Sequence, residues 1–155
     1  MKVEHGSRDR ADAILGFMPP QHRHFYARLS YFVVGTLDSE GRPWVSIVTG
    51  EQGFLRPVSQ NHLALVTDIS EGDPLLETLK DGFTVLEGEK LIAGLGIDFT
   101  NRRRNKGRSL MEFKLTVVTG KVAQNMVCLD NNELQMIINA TEALGNCPKV
   151  IARGQ

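Results

Sequence analysis

The sequence predicts a mainly β domain, a barrel or sandwich with peripheral helices. Three observations predict it. About six short runs are rich in β-branched and aromatic residues. Turn chemistry separates them, and helical periodicity is confined to the N-terminal part and one later stretch. The length of 155 residues fits one domain, spanning 1–155, and lets a folded chain bury roughly two-thirds of the surface it exposes unfolded.

The N-terminal segment, about residues 9–30, reads as helical. Asp9 or Asp12 is a cap for a helix through Ile14, Leu15 and Phe17, which Met18-Pro19-Pro20 stops. A second helix starts at Pro20 and runs to Leu29, with Phe25, Leu29 and Phe32 at i, i+4 and i+7. Tyr31-Phe32-Val33-Val34-Gly35-Thr36-Leu37 then has strand character, and Asp38-Ser39-Glu40-Gly41-Arg42-Pro43 is a turn. With Trp44-Val45-Ser46-Ile47-Val48-Thr49 as the return strand, the pair forms an antiparallel hairpin.

Gly50-Glu51-Gln52-Gly53 is a loop, residues 54–58 a short extended piece and Leu63-Ala64-Leu65-Val66-Thr67 a strand. Asp73-Pro74 opens a helix over 75–80, and residues 83–86 read as a short strand or turn. Leu91-Ile92-Ala93-Gly94-Leu95-Gly96-Ile97 is a buried strand, residues 100–108 a loop and residues 115–122 a strand. After the turn Asp130-Asn131-Asn132, residues 134–144 alternate as in a strand while also satisfying a helix; the strand is favoured. Asn146-Cys147-Pro148-Lys149 punctuates the chain before a last Val150-Ile151.

Eighteen basic and 18 acidic residues balance to a net charge of zero. A polynucleotide binder or an electrostatic membrane binder normally carries a basic excess, so neither partner is expected. Apolar content of 41% argues against disorder. Cys128 and Cys147 are too few for a disulfide scaffold or a closed zinc site. The N-terminus lacks a signal-peptide core, and no apolar run approaches the ~20 residues of a membrane span. A cytoplasmic location and no metal site are expected.

Several motif fragments fail. Gly94-Leu95-Gly96 follows an apolar strand, but Phe99 stands where a dinucleotide fingerprint needs its third glycine. Thr119-Gly120-Lys121 lacks the rest of a phosphate-binding loop. His22 and His24 point to different helix faces and read as surface histidines. Asn139-Ala140-Thr141 matches a glycosylation acceptor without a secretory context. Cys147 has no nearby base and reads as a structural thiol. Arg102-Arg103-Arg104, with Lys106 and Arg108, puts five cations in seven positions. They form either a solvated hairpin tip or an anion clamp, since guanidinium groups bind phosphate oxygens bidentately.

Gly35-Thr36-Leu37-Asp38, Gly41-Arg42-Pro43-Trp44-Val45-Ser46 and Gly50-Glu51-Gln52-Gly53-Phe54-Leu55 occur in order. Asp73-Pro74-Leu75, the basic run and Asn146-Cys147-Pro148-Lys149 follow. Together, over about residues 5–153, these resemble the pyridoxamine 5′-phosphate oxidase-like family of FMN-binding split barrels. The branch most similar precedes a ferredoxin-reductase-type module in longer proteins.

The resemblance implies a six-stranded antiparallel split β-barrel of the FMN-binding type, usually a homodimer with FMN between protomers. It implies that Trp44, Val45, Ser46, Ile47, Val48 and Thr49 run beside the isoalloxazine and its phosphate-bearing chain. Ser46 stands where the oxidase proper has a phosphate-binding arginine, and Thr67 matches a flavin-lining position. Arg102, Arg103, Arg104 and Lys106 would supply the cations that Ser46 does not. Trp44 serves either packing or ring contact. The implied function is an FMN-dependent oxidoreductase acting on a small molecule, although the oxidase's tail residues for substrate phosphate have no counterpart. The alternative is a non-catalytic flavin- or haem-binding dimerisation module, or part of a longer oxidoreductase. No side chain stands out as catalytic; His62 and His24 are the only acid–base candidates.

Overall fold

The computed structural model describes residues 14–80, 89–105 and 108–152, and the side chains of 14–80, 89–99 and 115–145. Two helices, α1 (Pro20–Ala27) and α2 (Pro74–Lys80), flank one antiparallel sheet. Its strands are β1 (Tyr31–Leu37), β2 (Pro43–Thr49), β3 (Leu55–Pro57), β4 (His62–Asp68), β5 (Glu89–Asn105), β6 (Arg108–Ala123), β7 (Val127–Asp130) and β8 (Glu133–Ala152). Their order is β2-β1-β5-β6-β8-β4-β3, with β7 beside the start of β8. No helix among the described residues is long and apolar enough to cross a membrane.

The sheet curls so that β2, at one end, meets β4, next to the other end. Thr67 Oγ1 donates to the Thr49 carbonyl at 2.8 Å, joining β4 to β2 by a side chain rather than a ladder. This seam is the split in the barrel. Phe32, Val34, Leu63, Leu65, Val118, Leu134, Met136 and Ile138 fill the interior, from the inward-facing rows of alternating strands. Gly94 and Gly96 serve packing. A methyl group on Gly94 would lie 2.1 Å from Phe32 Cζ, and one on Gly96 would meet Leu29, Phe25 and Tyr26 within 3.3 Å. The aromatic face of α1 thus seats on the barrel where β5 carries no side chain.

Four expectations are corrected. Among the described residues the sheet has eight strands rather than six, because β3 and β7 add short pieces at its margins. Of the expected loop over 100–108, residues 100–105 and 108 are strand. β5 continues through Arg102, Arg103 and Arg104, paired with Met111, Leu110 and Ser109 of β6, while Leu110 pairs with Ala152 of β8. Ladder bonds run through the backbone, so a charged sequence does not prevent them. Asn146-Cys147-Pro148-Lys149 is likewise no break, since Lys149, Pro148 and Cys147 pair with Phe113, Lys114 and Leu115. Proline is tolerated there because β4 covers β8 only from Glu133 to Asn139, leaving the later residues with a strand on one side. Residues 14–17 are not helical; Leu15 forms a bridge with Ala143, at 2.9 and 2.7 Å. The preceding caps, Asp9 and Asp12, and residues 83–86 lie outside the described residues.

Candidate functional site

β2 is the strand from which the resemblance draws most of its cofactor residues, and it is terminal in the sheet. Alternation divides its side chains. Ser46 and Val48 are buried in the barrel, whereas Val45 and Ile47 are 65% and 67% exposed on the outer face. Val45 sits in a row with Gly35, Ala93 and Thr119 of the neighbouring strands. Small side chains at Gly35 and Ala93 leave a trough between flanking Leu37, Trp44 and Leu91. The resulting groove is about 380 Å³, and among the described side chains no charged one lines it. The next row, Ile47–Val33–Leu95–Val117–Leu144, is apolar across five strands.

The opposite end of β2 is polar. Thr49 and Thr67 meet at the seam and line a groove of about 290 Å³ with Gly50, Gln52, Phe54 and Val66. Glu51, Asp68 and Glu133 bring three carboxylates to it, and no cation lines it among the described side chains. A third groove of about 270 Å³ lies between Trp44, Asp38, Pro74 and Glu77. Asp38 accepts from Trp44 Nε1 at 3.0 Å, Arg42 Nε at 2.7 Å and the Glu40 and Arg42 amides at 2.9 Å. These bonds, that of the Trp44 indole foremost, hold its carboxyl well below the usual carboxylate range.

Ser46 has a structural partner. Its Oγ donates to Asp73 Oδ1 at 2.5 Å and accepts from the Leu75 amide at 3.3 Å, while Asp73 Oδ1 accepts that same amide at 2.9 Å. The pair satisfies the first turn of α2 from within the barrel wall. Asp73-Pro74 was the sequence signal for this helix start, but nothing in sequence linked it to Ser46.

The structure therefore brings the expected site residues into separate groups. Trp44 and Val45 border the apolar groove, Thr49 and Thr67 the carboxylate groove, Ser46 and Val48 the interior, and Ile47 the outer apolar row. Arg102, Arg103 and Arg104 lie in β5 beyond its pairing with β1, which ends at Leu95. Arg104 is about 20 Å past Asp98 along an extended strand, and Lys106 lies outside the described residues. His62 lines none of these grooves; its Nδ1 is 2.7 Å from Ser59 Oγ in the β3–β4 turn. His24 is exposed on α1, but His22 is 4% exposed and is no surface histidine, because it shares the inward stripe of Phe25 and Tyr26. The side chain of Cys147 lies outside the described ones.

Set against a flavin mononucleotide, the described side chains fit the ring and not the phosphate. The apolar groove offers an uncharged, recessed surface. No Lys or Arg lines any of the three grooves, and Ser46 is turned to Asp73.

No protein-family model and no curated protein matches the sequence. Solved structures do. A protein from Lactobacillus delbrueckii, proposed to be a pyridoxamine 5′-phosphate oxidase, superposes with a TM-score of 0.54 at 13% identity, covering 84% of this chain and 95% of its own. An FAD and heme binding protein from Mycobacterium smegmatis gives 0.53 at 9% identity, covering 91% of this chain and 84% of its own. Identities this low speak for the backbone arrangement alone, and that arrangement is the pyridoxamine 5′-phosphate oxidase-like split barrel.

Proposed function

We propose that the chain is a flavin-binding homodimer that uses FMN to oxidise or reduce a small molecule. The observation that carries this reading is the uncharged groove beside Trp44 and Val45, continuous with an apolar outer sheet face. Leu37, Val45, Ile47, Leu91 and Leu144 are all exposed on that face, and a second copy laid against it would remove them from water. An obligate dimer buries roughly 2,000 Å² or more. A flavin between protomers would place its ring on Trp44, Val45, Gly35 and Ala93, with the Thr49–Thr67 end of β2 nearby. Bound flavin supplies the electron and hydride exchange; the protein's part is to hold the ring and exclude water. Cations for the phosphate would come from Arg102, Arg103, Arg104 and Lys106.

The cation-free grooves favour a second reading, a non-catalytic module that holds a flavin or haem mainly through apolar contact. One similar structure is of an FAD and heme binding protein.

The visible absorption spectrum of the purified protein, before and after incubation with FMN or with haem, separates the readings. Flavin bands with turnover of reduced nicotinamide support the enzyme; a Soret band, or flavin without turnover, supports the module. A protein that stays colourless with either cofactor overturns both. Sedimentation should give twice 17.2 kDa, and a monomer at micromolar concentration would remove the dimer.

A further inference from the structure

The two carboxylate oxygens of Asp38 do separate work. Oδ1 accepts the Glu40 and Arg42 amides, each at 2.9 Å, and so builds the turn between β1 and β2. Oδ2 accepts from Arg42 Nε at 2.7 Å and from Trp44 Nε1 at 3.0 Å. The turn needs only the first oxygen. The second ties down the indole of the chain's single tryptophan.

Trp44 is 44% exposed, so the barrel packs only part of it. Alternation puts its side chain on the side of Ser46, which bonds Asp73 and the Leu75 amide at the start of α2. The groove of about 270 Å³ that Trp44 and Asp38 line accordingly has Gly72, Pro74, Glu77 and Thr78 as its other wall. Trp44 also lines the apolar groove, with Val45, Gly35 and Ala93. Among the described residues it is the one that borders both.

We propose that Asp38 is a positioning residue for the ligand of the apolar groove: through Oδ2 it holds Trp44 as a fixed wall between the two grooves. The proposal rests on reading the apolar groove as a flavin seat. An N–H bonded to a carboxylate is held more firmly than one bonded to a neutral acceptor. Arg42, on the same oxygen, keeps the carboxylate turned toward the indole. A wall set before the ligand arrives spares binding the cost of ordering a side chain. Without the bond the indole spreads over several rotamers, and apparent affinity falls with the fraction that stays competent.

Asp38→Asn separates the two oxygens. The amide oxygen still serves the turn, as asparagine does at such positions, while the NH₂ group faces the Arg42 and Trp44 donors and accepts from neither. In the ligand-free variant, Trp44 fluorescence should show lower anisotropy and stronger quenching by acrylamide. Riboflavin is the probe, because it has no phosphate for the lost charge to influence. It should bind about three- to sixfold more weakly, as three χ1 wells and two χ2 orientations open to the indole. Trp44→Phe keeps a ring with no N–H for Asp38 to hold, and on that background Asp38→Asn should change riboflavin affinity by less than about twofold. A role confined to the turn persists without the indole. The same loss on both backgrounds would therefore overturn the proposal and leave the flavin seat standing, as would an unchanged Trp44 signal or a loosened indole with unchanged affinity. A wild-type protein that binds no riboflavin would instead overturn the flavin reading, and the positioning role with it.

Discussion

β2 is only seven residues long, yet its two ends face different chemistry. At Trp44 and Val45 the neighbours are β1 and β5, whose Gly35 and Ala93 recess an uncharged trough. At Thr49 the neighbours are the following loop and the paired ends of β4 and β8, which bring Glu51, Asp68 and Glu133. Strand alternation alone does not decide the polarity of a site; the residues that register places beside the strand do. A ligand lying along β2 would find its apolar part welcomed at one end. A phosphate at the other would meet three carboxylates, and like charges brought together in a groove repel.

Charging the apolar end gives the largest expected effect. Val45→Asp with Ile47→Asp puts two carboxylates per chain on the proposed interface, and uncompensated buried charge is strongly disfavoured. Dimer dissociation should strengthen by about a thousandfold or more, visible in sedimentation as a shift to 17.2 kDa. A persisting dimer would show that this face is not the interface.

Next comes the supply of cations. Each charge-assisted contact contributes about 1.5–3 kcal/mol, so Arg103→Ala/Arg104→Ala should weaken FMN binding on the order of a hundredfold. Riboflavin, without the phosphate, should lose far less in fluorescence-quenching titrations. Equal losses would mean that these arginines serve the fold, and no loss for either would leave them as solvated surface.

Ser46→Ala sharpens the comparison by separating β2's interior from its grooves. Its hydroxyl is engaged with Asp73 and Leu75, so urea denaturation should show a loss of about 1–2 kcal/mol with FMN affinity unchanged. A selective loss of FMN would place Ser46 at the ligand after all. The smallest effect belongs to Asp68→Asn/Glu133→Gln. If phosphate approaches the Thr49 end, removing these carboxylates should tighten FMN over riboflavin by about two- to fivefold at low salt, fading as salt is added. An identical response for both ligands would put the phosphate elsewhere.

Local chemistry made much of the fold legible. The Asp38–Pro43 turn reads correctly because Asp38 accepts the Glu40 and Arg42 amides and Gly41 takes φ 77°, as such turns require. Asn131, at φ 53°, does the same between β7 and β8, and the favoured strand at residues 134–144, which a helix would also have satisfied, is part of β8. What stayed hidden is long-range. The three-stranded extension of β5, β6 and β8 satisfies its backbone through pairing, so turn-forming residues such as Asn146 and Pro148 sit inside a strand. The glycines of Gly94-Leu95-Gly96 resemble a nucleotide motif in sequence, and only the approach of Phe32 and α1 shows what they are for. Of the residues expected at the site, Trp44, Val45, Thr49 and Thr67 border grooves. The apolar row of Ile47, Val33, Leu95, Val117 and Leu144, however, exists only once five strands are in register and could not be read from the sequence.

Because the barrel closes at Thr49 and Thr67 through a side chain, β2 remains a sheet terminus whose outward backbone groups have no ladder partner among the described residues. Such an edge, carrying exposed Val45 and Ile47, is a template for any other extended chain. Pro43 blunts only its first position. A freshly synthesised chain therefore enters a race: whatever covers β2 must arrive before a second β2 edge stacks on it. Yield in the cell should then depend on expression rate and temperature as much as on the stability of the finished fold.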